Sequence, residues 1–273
     1  MQTAKRVKSG NWDWRGKVCV VTGASSGIGN RVARDLGRAG ARVCAVARRR
    51  DRLEELVGEL GPDGHTFVGA DVSVRDDVRA VRAHVETTYG RCDVLVNNAG
   101  VAGEGAFEGA GSLEDLERVM ATNFFGAAYC TGELFALLSA SAPSHVVNVA
   151  SMAGRLTWGG ASAYCASKFA LVGWSESLHF ELTGKGIHVG VVEPGPVPTE
   201  GFPQRDLAGD RFLRYVISSD EEVSAAVRKV VEKRKMERVV PLWYYLLQVP
   251  RLLVPPAYRF ANRKVMGRAG RPT

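Results

Sequence analysis

Seven short runs rich in branched apolar residues, separated by segments of helical period, constrain the fold more than any other feature of this chain. The runs are Val18–Val21, Val43–Ala47, Thr66–Val68, Val94–Val96, Val146–Val149, Val189–Val192 and a weaker Arg238–Val240. They are continuously apolar rather than alternating, so a sheet built from them is buried on both faces, as parallel strands covered by helices are. Amphipathic stretches at 28–38, 50–60, 75–89, 114–138, 163–184 and 220–235 supply those helices. Repeated strand–helix–strand order predicts the α/β class: a single doubly wound, Rossmann-type domain with a parallel seven-stranded sheet and helices on both faces. The boundaries read as a basic N-terminal extension at 1–15, the sheet domain at 16–240 and a basic, apolar, proline-rich C-terminal extension at 241–273. Ligands of such sheets bind beyond the carboxyl ends of the strands, so the residues just after each strand carry most functional weight.

Charge narrows the partners. The net charge of +7 sits at the ends: residues 1–17 carry +4 and residues 238–273 carry seven basic side chains and no acid, which leaves 18–237 at −4. A nucleic-acid surface would place its cations as a patch on the folded body, so no nucleic-acid partner is expected. The five cysteines form no CxxC pair and the five histidines show neither HxH nor HExxH spacing, so neither a disulfide framework nor a metal site is expected. No apolar run reaches the roughly 18 residues of a spanning helix, and the N-terminus lacks a signal-type apolar core. A cytoplasmic protein is the expectation.

Directly after the first strand comes Thr22-Gly23-Ala24-Ser25-Ser26-Gly27-Ile28-Gly29, opening a helix. Small residues here let backbone approach a pyrophosphate, whose charge is favoured at the free amides of a helix N-terminus. The spacing is G-x-x-x-G-x-G; a tight turn with no ligand is the alternative, weakened by its place after the first strand. Tyr164 and Lys168 lie four apart on a predicted helix and share a face.

Taken in order, TGASSGIG, Asn97-Asn98-Ala99-Gly100, Asn123, Ser151, Tyr164-Cys165-Ala166-Ser167-Lys168 and Pro194-Gly195 resemble the short-chain dehydrogenase/reductase family over roughly residues 15–240. The resemblance implies a catalytic domain with an acid/base Tyr164, Lys168 as its electrostatic activator and ribose ligand, Ser151 on the substrate oxygen, and Asn123 holding a water that links Lys168 to solvent. Hydride transfer to a carbonyl leaves an oxyanion that needs a proton, and an ammonium near a phenol is expected to lower the phenol's pKa. The resemblance also assigns cofactor contacts to Gly23, Ser25, Ser26, Gly27, Ile28 and Gly29, to Asp71 and Val72 at the adenine, to Asn98, Ala99 and Gly100 along the ribose, and to Pro194, Gly195, Val197 and Thr199 at the carboxamide.

The cofactor expected is NADP(H). An NAD-selective site wants a carboxylate at the end of the second strand, where this chain has Ala47 followed by Arg48, which can pair with a 2′-phosphate. Arg50, and on the same reading Arg49, solvate the start of the next helix. Phe202, Phe212, Leu213 and Tyr215, opposite Met152, Leu156 and Trp158, point to a hydrophobic carbonyl or alcohol substrate. The tail joins apolar and aromatic residues to a cation cluster, which fits either a peripheral membrane contact or packing on the domain or a partner subunit. By resemblance, a homodimer or homotetramer is expected. The competing reading is a nucleotide-sensing protein of the same fold without turnover, for which an activated phenol would serve no purpose.

Overall fold

A computed structural model describes residues 12–109, 111–200 and 217–269. Phe202, Phe212, Leu213 and Tyr215 lie outside the described residues.

Seven parallel strands run β1 (Val18–Thr22), β2 (Arg42–Ala47), β3 (Thr66–Gly69), β4 (Val94–Asn97), β5 (Ser144–Val149), β6 (Ile187–Pro194) and β7 (Glu237–Val240). They pair in the order β3-β2-β1-β4-β5-β6-β7, all parallel, as the continuous apolar runs require. Successive side chains of a strand feed opposite layers. Cys19 and Val21 join α1 (Gly27–Arg38), α2 (Arg50–Leu60) and α7 (Asp220–Glu232) through Val32, Leu36, Leu53, Val227 and Val230. Val20, Leu95 and Val146 join α3 (Arg75–Tyr89) and α5 (Gly126–Ala140) through Val78, Val81, Leu134 and Leu138. Each such Val or Leu stabilises the fold by about 1.5–3 kcal/mol. Local signals agree with the ends of the helices: Gly90 closes α3 in the left-handed conformation, and Ser219 with Glu222 forms a capping box at the start of α7.

Two sequence expectations change, and the structure adds helices that were not assigned. The single helix read at 114–138 is α4 (Gly111–Met120), a π turn at Ala121–Phe125, and then α5. The extra residue of the π turn carries Asn123 inward, where it is buried; such turns are frequent at functional sites. The core also begins before residue 16. Trp14 is buried among core residues and donates to Glu232, and Trp12 packs edge-on against buried His145 at 4.4 Å. Finally, the described part of the proline-rich tail is largely helical: α8 (Tyr245–Leu253) continues through Pro250, and α9 (Pro255–Ala269) begins at a proline, where a missing amide costs nothing. Among the described residues no helix is long and apolar enough to cross a membrane.

Candidate active site

The order of strands reverses between β1 and β4, and a cavity of about 960 Å³ opens there beyond the strands' carboxyl ends. Of the catalytic and cofactor-contact residues expected from the sequence, all but Gly29 and Asn123 line it. Those two shape it from behind. A Cβ on Gly29 would stand 2.3 Å from the Gly23 carbonyl oxygen, so only glycine lets the turn fold this tightly over the helix. Ser26, the N-cap of α1, makes no side-chain cap bond, so the first amides of the helix are left to other acceptors. The glycine-lined turn, the uncapped helix end and the neighbouring arginines therefore suit a dinucleotide's pyrophosphate.

Ala47 is the last residue of β2, and Arg48 follows on the cavity wall with its guanidinium 3.7 Å from Asp71. Burial alone would raise the Asp71 carboxyl, but bonds from Ser73 N and Oγ, with Arg48 beside it, hold it below the usual carboxylate range. Arg49 does more than solvate a helix. Its Nη2 donates to Ser26 Oγ at 2.6 Å and Ser25 Oγ at 3.1 Å, and its Nη1 pairs with Glu200 at 2.9 Å. No linear signal carried this contact: β1 and β2 are neighbours in register, so a residue just past β2 reaches the turn that follows β1. Arg50 is exposed at the start of α2, with its guanidinium 5.7 Å from the Phe67 ring centre. Asn98 donates from Nδ2 to Thr22 O, and its backbone amide and that of Ala99 both donate to Thr22 Oγ1, so this turn knits β4 to β1 as it lines the cavity.

Tyr164 and Lys168 come from one face of α6 (Ser162–Thr183), opposite Ser151 at the end of β5. The Tyr164 side chain hydrogen-bonds Ser151, whose Oγ also accepts from Ala153 N. Lys168 is buried; its Nζ donates to Val149 O at 3.0 Å and lies 5.7 Å from the Tyr164 ring centre. The expected lowering of the phenol does not hold in this geometry. Burial pushes Tyr164 up to about 12, with the Ser151 bond only partly opposing it, and burial lowers Lys168 to about 8. Desolvation acts on both groups and disfavours the charged form of each.

Asn123 is fixed by its side-chain amide. Its Oδ1 accepts from Val101 N at 2.8 Å, and its Nδ2 donates to Val101 O and Ser167 Oγ, each at 3.0 Å. Both amide protons are used, so the side chain is a bracket between the loop after β4 and α6. Asn97 is structural in the same way, donating to Asn148 Oδ1 and Thr131 Oγ1.

The far wall includes Met152, Leu156 and Trp158, joined by Tyr244 and Leu247 from the tail, which sequence reasoning did not place there. Tyr244 is buried under the turn after β6, and a Cβ on Gly195 would meet its ring at 2.4 Å. Behind this wall Arg155 reaches Glu193 at 3.0 Å, Glu176 at 2.6 Å and Glu237 at 3.3 Å. Among the described residues no group of three His, Cys, Asp or Glu side chains is placed to hold a metal ion.

A doubly wound sheet with a dinucleotide cradle at its switch point, facing a Ser–Tyr–Lys group, defines a class of nucleotide-binding α/β proteins. The family profile for short chain dehydrogenase matches residues 17–208, and the chain belongs to that oxidoreductase family. It is 39% identical over 265 residues to 11-beta-hydroxysteroid dehydrogenase 1A of Arabidopsis thaliana, covering 91% of this chain and 75% of that one. Among solved structures, a short chain dehydrogenase/reductase from Burkholderia phymatum in complex with NAD superposes with a TM-score of 0.76 at 26% identity, covering 87% of this chain and 93% of that chain. The Pseudomonas aeruginosa RhlG/NADP active-site complex gives 0.74 at 30% identity, covering 82% and 94%.

Proposed function

We propose that the protein is an NADP(H)-dependent oxidoreductase that interconverts a carbonyl and a secondary alcohol on a hydrophobic substrate, with Tyr164 as general acid/base. One observation carries the reading: the uncapped start of α1, a β2 end without a carboxylate, and the Ser151–Tyr164–Lys168 group all face a single cavity. The turn from Gly23 to Gly29 would hold the pyrophosphate and Arg48 the 2′-phosphate. Asp71 and Val72 would meet the adenine, Asn98 to Gly100 and Lys168 the riboses, and Pro194, Gly195, Val197 and Thr199 the carboxamide. When bound, the nicotinamide supplies or accepts the hydride.

The chain's own groups manage the proton. With its phenol near 12, Tyr164 is protonated at neutral pH and is ready to donate to the oxygen of a carbonyl being reduced. Ser151, already bonded to Tyr164, is positioned to donate to the same oxygen as its charge grows. Lys168, ammonium below about 8, favours the phenolate left behind. The apolar wall of Met152, Leu156, Trp158 and Leu247 excludes water and favours an apolar substrate, in keeping with the steroid named for the Arabidopsis relative. The same reading includes a homodimer or homotetramer, supported by Phe125 and Phe180 left exposed beside α5 and on α6.

NADPH oxidation by the purified protein across a panel of apolar ketones and aldehydes, with NADH in parallel, tests the proposal. Turnover with NADPH on members of the panel is expected; nucleotide binding without turnover on any of them would favour a sensor. The cofactor preference has its own test. Arg48→Ala should weaken NADPH binding by roughly tenfold to 150-fold, the worth of one charge-assisted bond, and leave NADH unchanged. Equal affinities for the two nucleotides in the wild type, unaltered by the substitution, would refute it.

A further inference from the structure

The last two helices are anchored to the body at a few points and leave an apolar face uncovered. Arg251 donates to the Arg155 carbonyl and stacks on Phe169 at 4.5 Å. The Tyr258 hydroxyl accepts from Thr157 N at 2.8 Å, and Tyr244 is buried. Away from these anchors Leu246, Val249 and Leu253 of α8, with Leu242 in the 3-10 turn just before it, recur at helical spacing and are all exposed, Leu246 to 69% and Leu253 to 75%. Leu252 beside them is 73% exposed. Scattered exposed leucines need no explanation, whereas a continuous patch on one short helix marks an interaction surface. Trp243, in the turn just before α8, and Tyr245, at its start, are half-exposed and are the amphipathic rings that settle at a water–lipid boundary.

Charge selects the occupant. Arg259 and Arg263 stand exposed one turn apart on α9, and the sequence from 238 to 273 contains seven basic residues and no acid. A second copy bringing the same face would set these cations against their own counterparts, with no carboxylate in the segment to pair them. We infer that this face docks α8 and α9 into the interfacial layer of a membrane with an anionic surface. The helices lie in the interface rather than cross it, because α8 has nine residues and contains Pro250. The position of the surface also matters for the site. Tyr244 and Leu247 of this segment line the cavity together with Leu156 and Trp158, so the docked face adjoins the cavity's apolar wall. Delivery of an apolar substrate from the lipid would follow, and that consequence alone rests on the function proposed above.

Flotation of the full-length protein with phosphatidylcholine vesicles, with and without phosphatidylserine, tests the surface. The wild type should float with the phosphatidylserine vesicles and much less with phosphatidylcholine alone. Arg259→Gln/Arg263→Gln should lose roughly fivefold in partitioning for each charge removed. Leu246→Asp/Leu253→Asp should stay at the bottom of the gradient. NADPH binding, measured in the same preparations without vesicles, should be equal in all three proteins, showing that each is folded and separating this test from that of the proposed reaction. Wild-type protein that ignores phosphatidylserine vesicles would overturn the inference. So would a Leu246→Asp/Leu253→Asp variant that floats like the wild type, or one whose only change is a smaller mass in sedimentation velocity, since the face would then bind a second copy.

Discussion

Tyr164→Phe should lose turnover by roughly 10²–10⁴-fold, the usual worth of a positioned acid/base, and still bind nucleotide like the wild type. The substitution removes one oxygen from a cavity whose nucleotide end is built by other elements, the turn after β1 and the end of β2. Single-turnover reduction with NADPH, set beside nucleotide titration, separates the two effects. Retained turnover would remove Tyr164 from the chemistry. The pH dependence sharpens the assignment. A phenol near 12 stays protonated through neutral pH, so its own ionisation does not limit reduction there. The group that titrates nearer to neutrality is Lys168, held down to about 8 by burial. The kcat/KM for reduction should therefore be level below that value and fall above it as the ammonium is lost, with the limb absent in Lys168→Met. A limb that survives in Lys168→Met would belong to another group.

Well above pH 7, where Glu193 is charged in the wild type, Arg155→Met should destabilise the protein by about 3–5 kcal/mol, because it strands a buried carboxylate without its partner. Glu193 is fully buried at the end of β6 and accepts from both Nε and Nη2 of Arg155. Burial pushes its carboxyl up to about 7, against the pull of Arg155. Its proton is thus held more tightly in the folded than in the unfolded chain, whose value is near 4.5. The group's contribution to stability is complete below the unfolded value and is lost as pH rises through about 7. Removing Arg155 raises the folded value further, so the variant's deficit should grow with pH. Urea midpoints measured on either side of pH 7 test this. Equal deficits at both would mean that Glu193 is not the group left stranded, and Arg155→Met/Glu193→Leu should recover much of the loss, since a buried ion pair replaced by apolar groups is often neutral or stabilising.

Most of the architecture was readable along the chain. Continuous Val runs demand cover on both faces, and Val18–Val21 and Val189–Val192 lie within observed strands for that local reason. The glycine turn and the Tyr164–Lys168 pair are short-range patterns, with spacing set by one turn or one helix face, so they too were legible. What the linear pattern could not decide depends on residues brought close by packing. Arg49 reads as a solvated helix start until β2 lies beside β1 and sets its guanidinium on Ser25 and Ser26. Asn123 reads as mid-helix until a π turn and the approach of Val101 and Ser167 use up its amide. Tyr244 and Leu247 read as tail until α8 folds back over the turn after β6. The protonation of the reacting pair belongs to the same category. The spacing of Tyr164 and Lys168 predicts an ammonium near a phenol and hence an acidified phenol, but solvent exclusion by the surrounding chain reverses the direction for Tyr164 and lowers Lys168. Residue order sets which groups can share a face, whereas their charge states depend on desolvation, which exists only once distant segments have packed around them.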